Sequence, residues 1–385
     1  MKLRVKEYIV LVVAVSSVVA AFVFAFNGSA ATPSGETGAG PAVAKVSVPD
    51  VPVAPVLPEE ILAALEDSSI EDVVLDSGDD FVSGVPVPAR EPVKPPRPAM
   101  KNFSCAGQIC IDAETGNVLS SRNANVPHPP ASVTKLMTIF VVFDAVKSGK
   151  VRLSDSVPAS LRAQNMGGTQ VHLAAGEVNS VDDLLYALML QSANDAAVAL
   201  AEKVSGSVEA FVDEMNAKAR ELGLAQTKFS TPHGLPVSKK ERKAGKQPDM
   251  TTASDLAKLS RALIKKHPDV FRYSAAKTKM FREHRLDVKP LPMGNHNALL
   301  RSFPGCDGLK TGWTNAGASI VTTASRGHRR VIAVVLGGIV PGAQKGSVDA
   351  KTSQRERNQR AAELMYEGLK KLDALKYEPT PENGK

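Results

Sequence analysis

Aromatic residues and cysteine are scarce in this chain: 385 residues hold one Trp, five Tyr, twelve Phe and three Cys. An aromatic share of 5% gives no stacking platform for bases or sugar rings, so no nucleic-acid partner is expected. The cysteines and seven histidines show none of the spacings that hold a metal, so neither a metal nor a cofactor is expected. Only one long apolar run occurs, at the start of the chain, so a second membrane-spanning helix is not expected. Three cysteines suit an exported protein without requiring a disulfide. On one strand Cys105 and Cys110 would face opposite sides, and either could pair with Cys306, or all three could be free thiols.

What is present is unevenly charged. Residues 1–26 carry +2, residues 27–100 carry −8, and residues 101–385 carry +13 of a total of +7. A basic body behind an acidic stretch suits an anionic polymer as neighbour, and charge alone does not choose which. Lys2, Arg4 and Lys6 precede the uncharged run Tyr8–Phe26, which is followed by the small residues Gly28–Ala31. That order predicts export, with residues 1–26 as a signal peptide or an N-terminal membrane anchor through residues 8–26. Both alternatives place the remainder outside the cytoplasm, in the periplasm or an equivalent compartment. Residues 27–100 hold 12 of the 26 prolines and the acidic patch Glu59–Asp80, a composition that predicts an extended linker.

Patterned sequence begins near Met100. Cys105–Ala113 and Val118–Ser121 predict a hairpin around Glu114-Thr115-Gly116-Asn117. Ala131–Val146 is apolar on nearly all faces, which predicts a helix at the centre of a large core. Ser180-Val181-Asp182-Asp183 caps a helix expected to run through Leu190, followed by helices over Asp195–Val204 and Val208–Leu222. After Gly294 the period shortens, and Leu309–Trp313, Ser319–Ala324 and Arg330–Ile339 predict strands before a last helix, Gln354–Leu372. Strands at both ends with helices between them predict one α+β domain over 101–375, closed by distant segments, with residues 376–385 as a tail.

Three triplets carry the chemistry. Ser132-Val133-Thr134-Lys135 stands at the start of the buried helix, where residues three apart share a face. A serine hydroxyl becomes a nucleophile only when a neighbour takes its proton, and a lysine does so only if burial or nearby positive charge lowers its pKa. Ser192-Ala193-Asn194 falls in the break between two helices, where a hydroxyl and an amide could relay a proton and hold a peptide backbone. Lys310-Thr311-Gly312 lies on a predicted strand, where Lys310 and Thr311 suit a carboxylate and Gly312 allows close backbone approach. Each triplet alone is commonplace; their order and setting together point to penicillin-interacting serine enzymes.

The sequence from about 101 to 372 resembles the low-molecular-mass penicillin-binding proteins, the serine-type D-alanyl-D-alanine carboxypeptidases related to serine β-lactamases. Further blocks share the resemblance: Ile111–Gly116, Pro129–Ser132, Gln191–Ala196, Thr231–Leu235 and Asp307–Thr314. It implies a β-lactamase/DD-peptidase-like fold, with about five antiparallel strands, flanking helices and an all-helical subdomain. Ser132 would be the acyl-enzyme nucleophile, Lys135 its base and Ser192 a proton relay. Asn194, Lys310, Thr311, Gly312 and Trp313 would bind substrate, with the backbone N–H groups of Ser132 and Trp313 as oxyanion hole and Arg357 assisting the carboxylate. Peptidoglycan stem peptides would be the substrate and β-lactams covalent inhibitors; the oligomeric state stays open.

Three departures bear on this. Only 75 residues follow Lys310, too few for the extra β domain of larger carboxypeptidases, so a DD-endopeptidase that cuts cross-links stays an alternative. A non-catalytic wall-binding homologue is the alternative of another class. Glu221-Leu222-Gly223-Leu224 lacks the asparagine of a β-lactamase deacylating loop, so penicillin should inhibit rather than turn over. His172, His233, His284 and His296 are expected to be structural or surface residues, because Lys135 fills the base role.

Overall fold

In the computed structural model, which describes residues 94–283, 285, 288–342 and 348–375, the first regular elements are the hairpin β1 (Gly107–Asp112) and β2 (Val118–Arg122). Asp112 sets its turn, its carboxylate accepting from Glu114 N–H at 2.9 Å and the Thr115 hydroxyl at 2.7 Å. The expectations for residues 1–26, for the linker up to residue 93 and for the tail 376–385 lie outside the described residues. Among the described residues no helix is long and apolar enough to cross a membrane.

Three further strands, β3 (Cys306–Thr314), β4 (Gly317–Arg326) and β5 (Arg329–Gly338), complete an antiparallel sheet of order β2-β1-β5-β4-β3. The pairing of β1 with β5 closes the domain across more than two hundred residues. β5 shows why this part of the sequence is almost continuously apolar. Ile332, Val334 and Leu336 enter the inner core, and Val331, Ala333 and Val335 enter an outer one. A strand covered on both faces cannot alternate polar with apolar.

The inner layer is helical. Helix α1 (Lys135–Lys147) has every residue from Lys135 to Phe143 buried, as its unbroken apolar run predicts. Around it stand α2 (Val181–Tyr186), α3 (Asn194–Ser205), α4 (Val208–Glu221) and α5 (Ala253–Lys266). Ser180, Ser207 and Thr252 cap α2, α4 and α5 through their hydroxyls. On the outer face lies α6 (Ala350–Ala374), burying Ala361, Met365 and Leu369. Arg97, Ala99 and Met100, from a stretch whose composition suggests linker, are tied to this helix through Glu356 and Glu363.

Two expectations need correction. The helix from Ser180 does not continue to Leu190: it gives way to a π-helical turn over Ala187–Gln191. Of the two alternatives left open for the cysteines the structure has the free thiols; what changes is that Cys105 and Cys110 do not face opposite sides of the sheet. Cys105 precedes β1, so strand alternation does not govern it, and all three border the outer core.

Candidate active site

The chain enters α1 through a 3-10 turn, Ala131–Thr134, rather than through an α-helix beginning at Ala131. At three residues per turn, positions i and i+3 eclipse. The Lys135 ammonium nitrogen therefore comes to 3.1 Å from Ser132 Oγ, with the serine partly open to solvent and the lysine fully buried.

Lys135 Nζ has two further neighbours, Asn194 Oδ1 at 2.7 Å and the His233 carbonyl at 2.8 Å. Both are acceptors only. Nζ donates to both and to Ser132 Oγ; once the amine is neutral, two N–H groups still serve these two acceptors and its lone pair faces the Ser132 hydroxyl. Burial, and then the positive charge of Lys310, hold the Lys135 pKa well below the ordinary lysine range. A lysine in this setting can accept a proton.

The second triplet sits where the π turn meets α3. Ser192 adopts a left-handed conformation, φ 60° and ψ 33°, rare for serine. Its Oγ is buried with no hydrogen-bond partner among the described residues, an exception of the kind that calls for an explanation. Asn194 is fixed from both ends. Its Nδ2 donates to the Gly167 carbonyl at 2.8 Å, so Oδ1 must face Lys135. Asp195, fully buried, accepts from Val171 and Leu173 N–H and thereby holds the 167–173 segment across the site.

The third triplet lies on β3, the sheet edge beside the serine turn. A Cβ on Gly312 would lie 3.0 Å from Ser132 N and 3.1 Å from the Pro130 carbonyl, so a larger residue would push strand and turn apart by a few tenths of an ångström. Lys310 is buried, and its pKa is pushed down to about 7 by burial and by the charge of Arg357. Thr311 is buried and Trp313 partly so. Arg357 reaches β3 from α6, donating through Nη1 to the carbonyls of Gly312 at 3.3 Å and Ser319 at 3.0 Å. It also clasps Asn358 Oδ1. Direct contacts thus link Ser132, Lys135 and Asn194 on one side, and Gly312 and Arg357 on the other.

Sequence reasoning missed Asp249. Its buried carboxylate accepts from Ser230 N–H at 2.7 Å, Thr231 N–H at 3.1 Å, and the Thr231 and Thr134 hydroxyls at 2.9 Å each. It pins the 230–234 segment to the Ser132 turn, and with it the His233 carbonyl that Lys135 Nζ contacts. No spacing rule links positions 134 and 249; Thr134, inside the first motif, was the only available signal.

Of the four histidines, His172 and His296 are exposed and His284 lies outside the described residues. His233 is structural: its Nδ1 accepts from Leu235 N–H at 3.1 Å. Burial, and then the charge of Lys135, push its pKa down to about 3 from 6.5. Between those values the unfolded chain binds a proton that the folded one does not, so this residue makes stability rise with pH over that window. Urea midpoints from pH 4 to 7 should climb less steeply in His233→Asn, which keeps an acceptor for Leu235. The difference should approach about 1 kcal/mol per pH unit, under the limit of about 1.4 for one proton. Parallel slopes would place the titration elsewhere.

The sheet, the helical layer and the Ser–Lys pair between them define a serine enzyme of the penicillin-binding, β-lactamase-like class. A profile of the D-alanyl-D-alanine carboxypeptidases (peptidase S11) matches residues 94–339, and the chain belongs to this family. It is 37% identical over 234 residues to the D-alanyl-D-alanine carboxypeptidase DacF of Bacillus subtilis, covering 60% of this chain and 57% of that one. To DacB2 of Mycobacterium tuberculosis it is 33% identical over 233 residues, covering 60% of this chain and 74% of the relative. Penicillin-binding protein D2 of Listeria monocytogenes, solved with ampicillin bound, superposes with a TM-score of 0.57 at 30% identity. That match covers 69% of this chain and 97% of the other. The chain thus spans little more than half of DacF, but nearly all of the Listeria structure.

Proposed function

We propose that the protein is an exported serine DD-carboxypeptidase, which removes the terminal D-alanine from peptidoglycan pentapeptide stems outside the cytoplasm. The observation that carries this reading is the buried Lys135, 3.1 Å from Ser132 Oγ, with its other two contacts both acceptors. The substrate's terminal carboxylate faces Lys310 and Thr311, with Arg357 adding positive potential behind the strand. The scissile carbonyl oxygen lies between the backbone N–H groups of Ser132 and Trp313, which donate to the oxyanion as it forms.

Lys135 takes the Ser132 proton as Oγ bonds to the carbonyl carbon. The tetrahedral adduct collapses, the C–N bond to D-alanine breaks, and the proton Lys135 took passes by way of the Ser192 hydroxyl to the leaving nitrogen, which leaves Lys135 neutral again. Asn194 holds Lys135 through Oδ1 and the acyl residue's backbone. Water then attacks the ester with Lys135 again as base, freeing the shortened stem and Ser132. A β-lactam follows the first half of this path, but its leaving nitrogen stays tethered. With Glu221 at the end of α4 and paired to Lys218 at the surface, no deacylating carboxylate is supplied from that position.

D-alanine release from a pentapeptide ending in D-Ala-D-Ala should occur with the full chain and vanish in Ser132→Ala. Intact mass should show a benzylpenicillin adduct on the wild type only. Release by both proteins would remove Ser132 from the mechanism. Cleavage of cross-linked dimers with no release from pentapeptide would replace the carboxypeptidase reading by endopeptidase.

A further inference from the structure

Beside the serine turn lies a groove of about 360 Å³ whose wall includes Ala131, immediately before the nucleophile, and Thr314, immediately after Trp313. Its sides are apolar, formed by Leu235, Pro236, Val237 and prolines 129 and 248. Two charged residues line it. Asp249 is buried with its oxygens taken by four donors. Arg242, on the short helix Lys239–Lys243, is exposed, and its guanidinium has no hydrogen bond or ion pair among the described residues. The neighbouring Lys239, Lys240, Lys243 and Lys246 do not line the groove, and Lys246 is paired with Glu241, so Arg242 is set apart from the rest of the basic cluster.

Direction along β3 assigns this groove. Lys310 and Thr311 precede Gly312, the residue packed on Ser132, while Thr314 follows it. A substrate whose terminal carboxylate lies toward Lys310 must therefore run its acyl side toward Thr314. Two strand residues span about 7 Å, which brings the stem residue before the acyl D-alanine level with the groove. An apolar wall ending in one unpaired guanidinium suits a hydrocarbon side chain that ends in a carboxylate.

We propose that this groove receives the side chain of the third stem residue, and that Arg242 selects stems in which that side chain ends in a carboxylate. The inference rests on the carboxypeptidase reading and adds a specificity determinant to it. The interaction is made equally in ground and transition states, so it acts on KM rather than kcat.

Two pentapeptides test it, identical except at the third residue: a diaminodicarboxylic acid in one, lysine in the other. Wild-type kcat/KM should favour the carboxylate by about tenfold, the effect of one partly exposed charge-assisted pair. Arg242→Gln should bring the two substrates together, and Arg242→Glu should reverse the order, with the change in KM. Equal wild-type values, or a preference unaltered in Arg242→Glu, overturn the proposal. Benzylpenicillin acylation of the wild type, measured on the same preparation, separates the two levels. A stable adduct alongside indistinguishable peptides defeats the groove assignment alone, whereas no adduct and no release defeats the underlying activity.

Discussion

Lys135→Met should slow acylation by benzylpenicillin by about a thousandfold or more, the upper part of the range for general-base catalysis. Methionine fills much of the space in the buried site but cannot accept the Ser132 proton. Its loss leaves Asn194 Oδ1 and the His233 carbonyl without their donor, at about 1–3 kcal/mol for each buried acceptor. Against that, removing an amine from an apolar core relieves a desolvation cost, so the variant should still fold. Lys135→Arg separates two explanations. Arginine keeps a positive charge beside Ser132 but does not deprotonate near neutral pH, so a base role predicts loss as deep as in Lys135→Met. Acylation surviving in Lys135→Arg would mean that charge alone activates the serine. The pH dependence has a defined sign. Lys135 must be neutral to act, so wild-type acylation falls as pH drops through its pKa, which burial and Lys310 hold below the ordinary lysine range.

The sequence disclosed those parts of the site that lie close together along the chain. Ser132 and Lys135 are three apart, and any helical geometry brings them to one face; Lys310–Gly312 announced a strand by its neighbours. The five-strand α+β architecture was legible for a similar reason, since the β-branched, apolar run of β5 suits a strand covered on both faces and β4 is rich in β-branched Ile, Val and Thr. Less visible were features fixed by packing between remote segments. The π turn before Ser192 and the left-handed serine that follows have no local signature, because the apolar run Leu184–Leu190 suits an α-helix equally well. Asp249 acts on Thr134 and Thr231 across a fold that must form first. The expected strand began two residues early, at Cys105 rather than Gly107, so the alternation that would set Cys105 against Cys110 does not reach Cys105.

Gly234 makes the same dependence testable. Its φ is +82°, and a Cβ there would fall 2.0 Å from the Ala131 carbonyl oxygen and 2.9 Å from Thr134 Oγ1. Neither neighbour can retreat freely. Ala131 begins the turn that carries Ser132, and Thr134 is bonded to Asp249. Gly234→Ala must therefore push the 230–234 segment away from Ser132, carrying the adjacent His233 carbonyl away from Lys135. Strain from the left-handed backbone costs about 1 kcal/mol and overpacking about 1–3 more. Destabilisation of about 3 kcal/mol should appear in urea unfolding. The displacement should also cost acylation about a hundredfold, as a shift near 1 Å does at a catalytic pair. Gly149→Ala provides the comparison: its φ is +75°, but none of the described residues lies within 4 Å of the added methyl group. It should lose only about 1 kcal/mol and acylate at the wild-type rate. If both variants behaved like Gly149→Ala, the close approach of Gly234 to the serine turn would not be holding the site together. If Gly234→Ala lost stability but acylated normally, the His233 carbonyl would not be setting the position of Lys135.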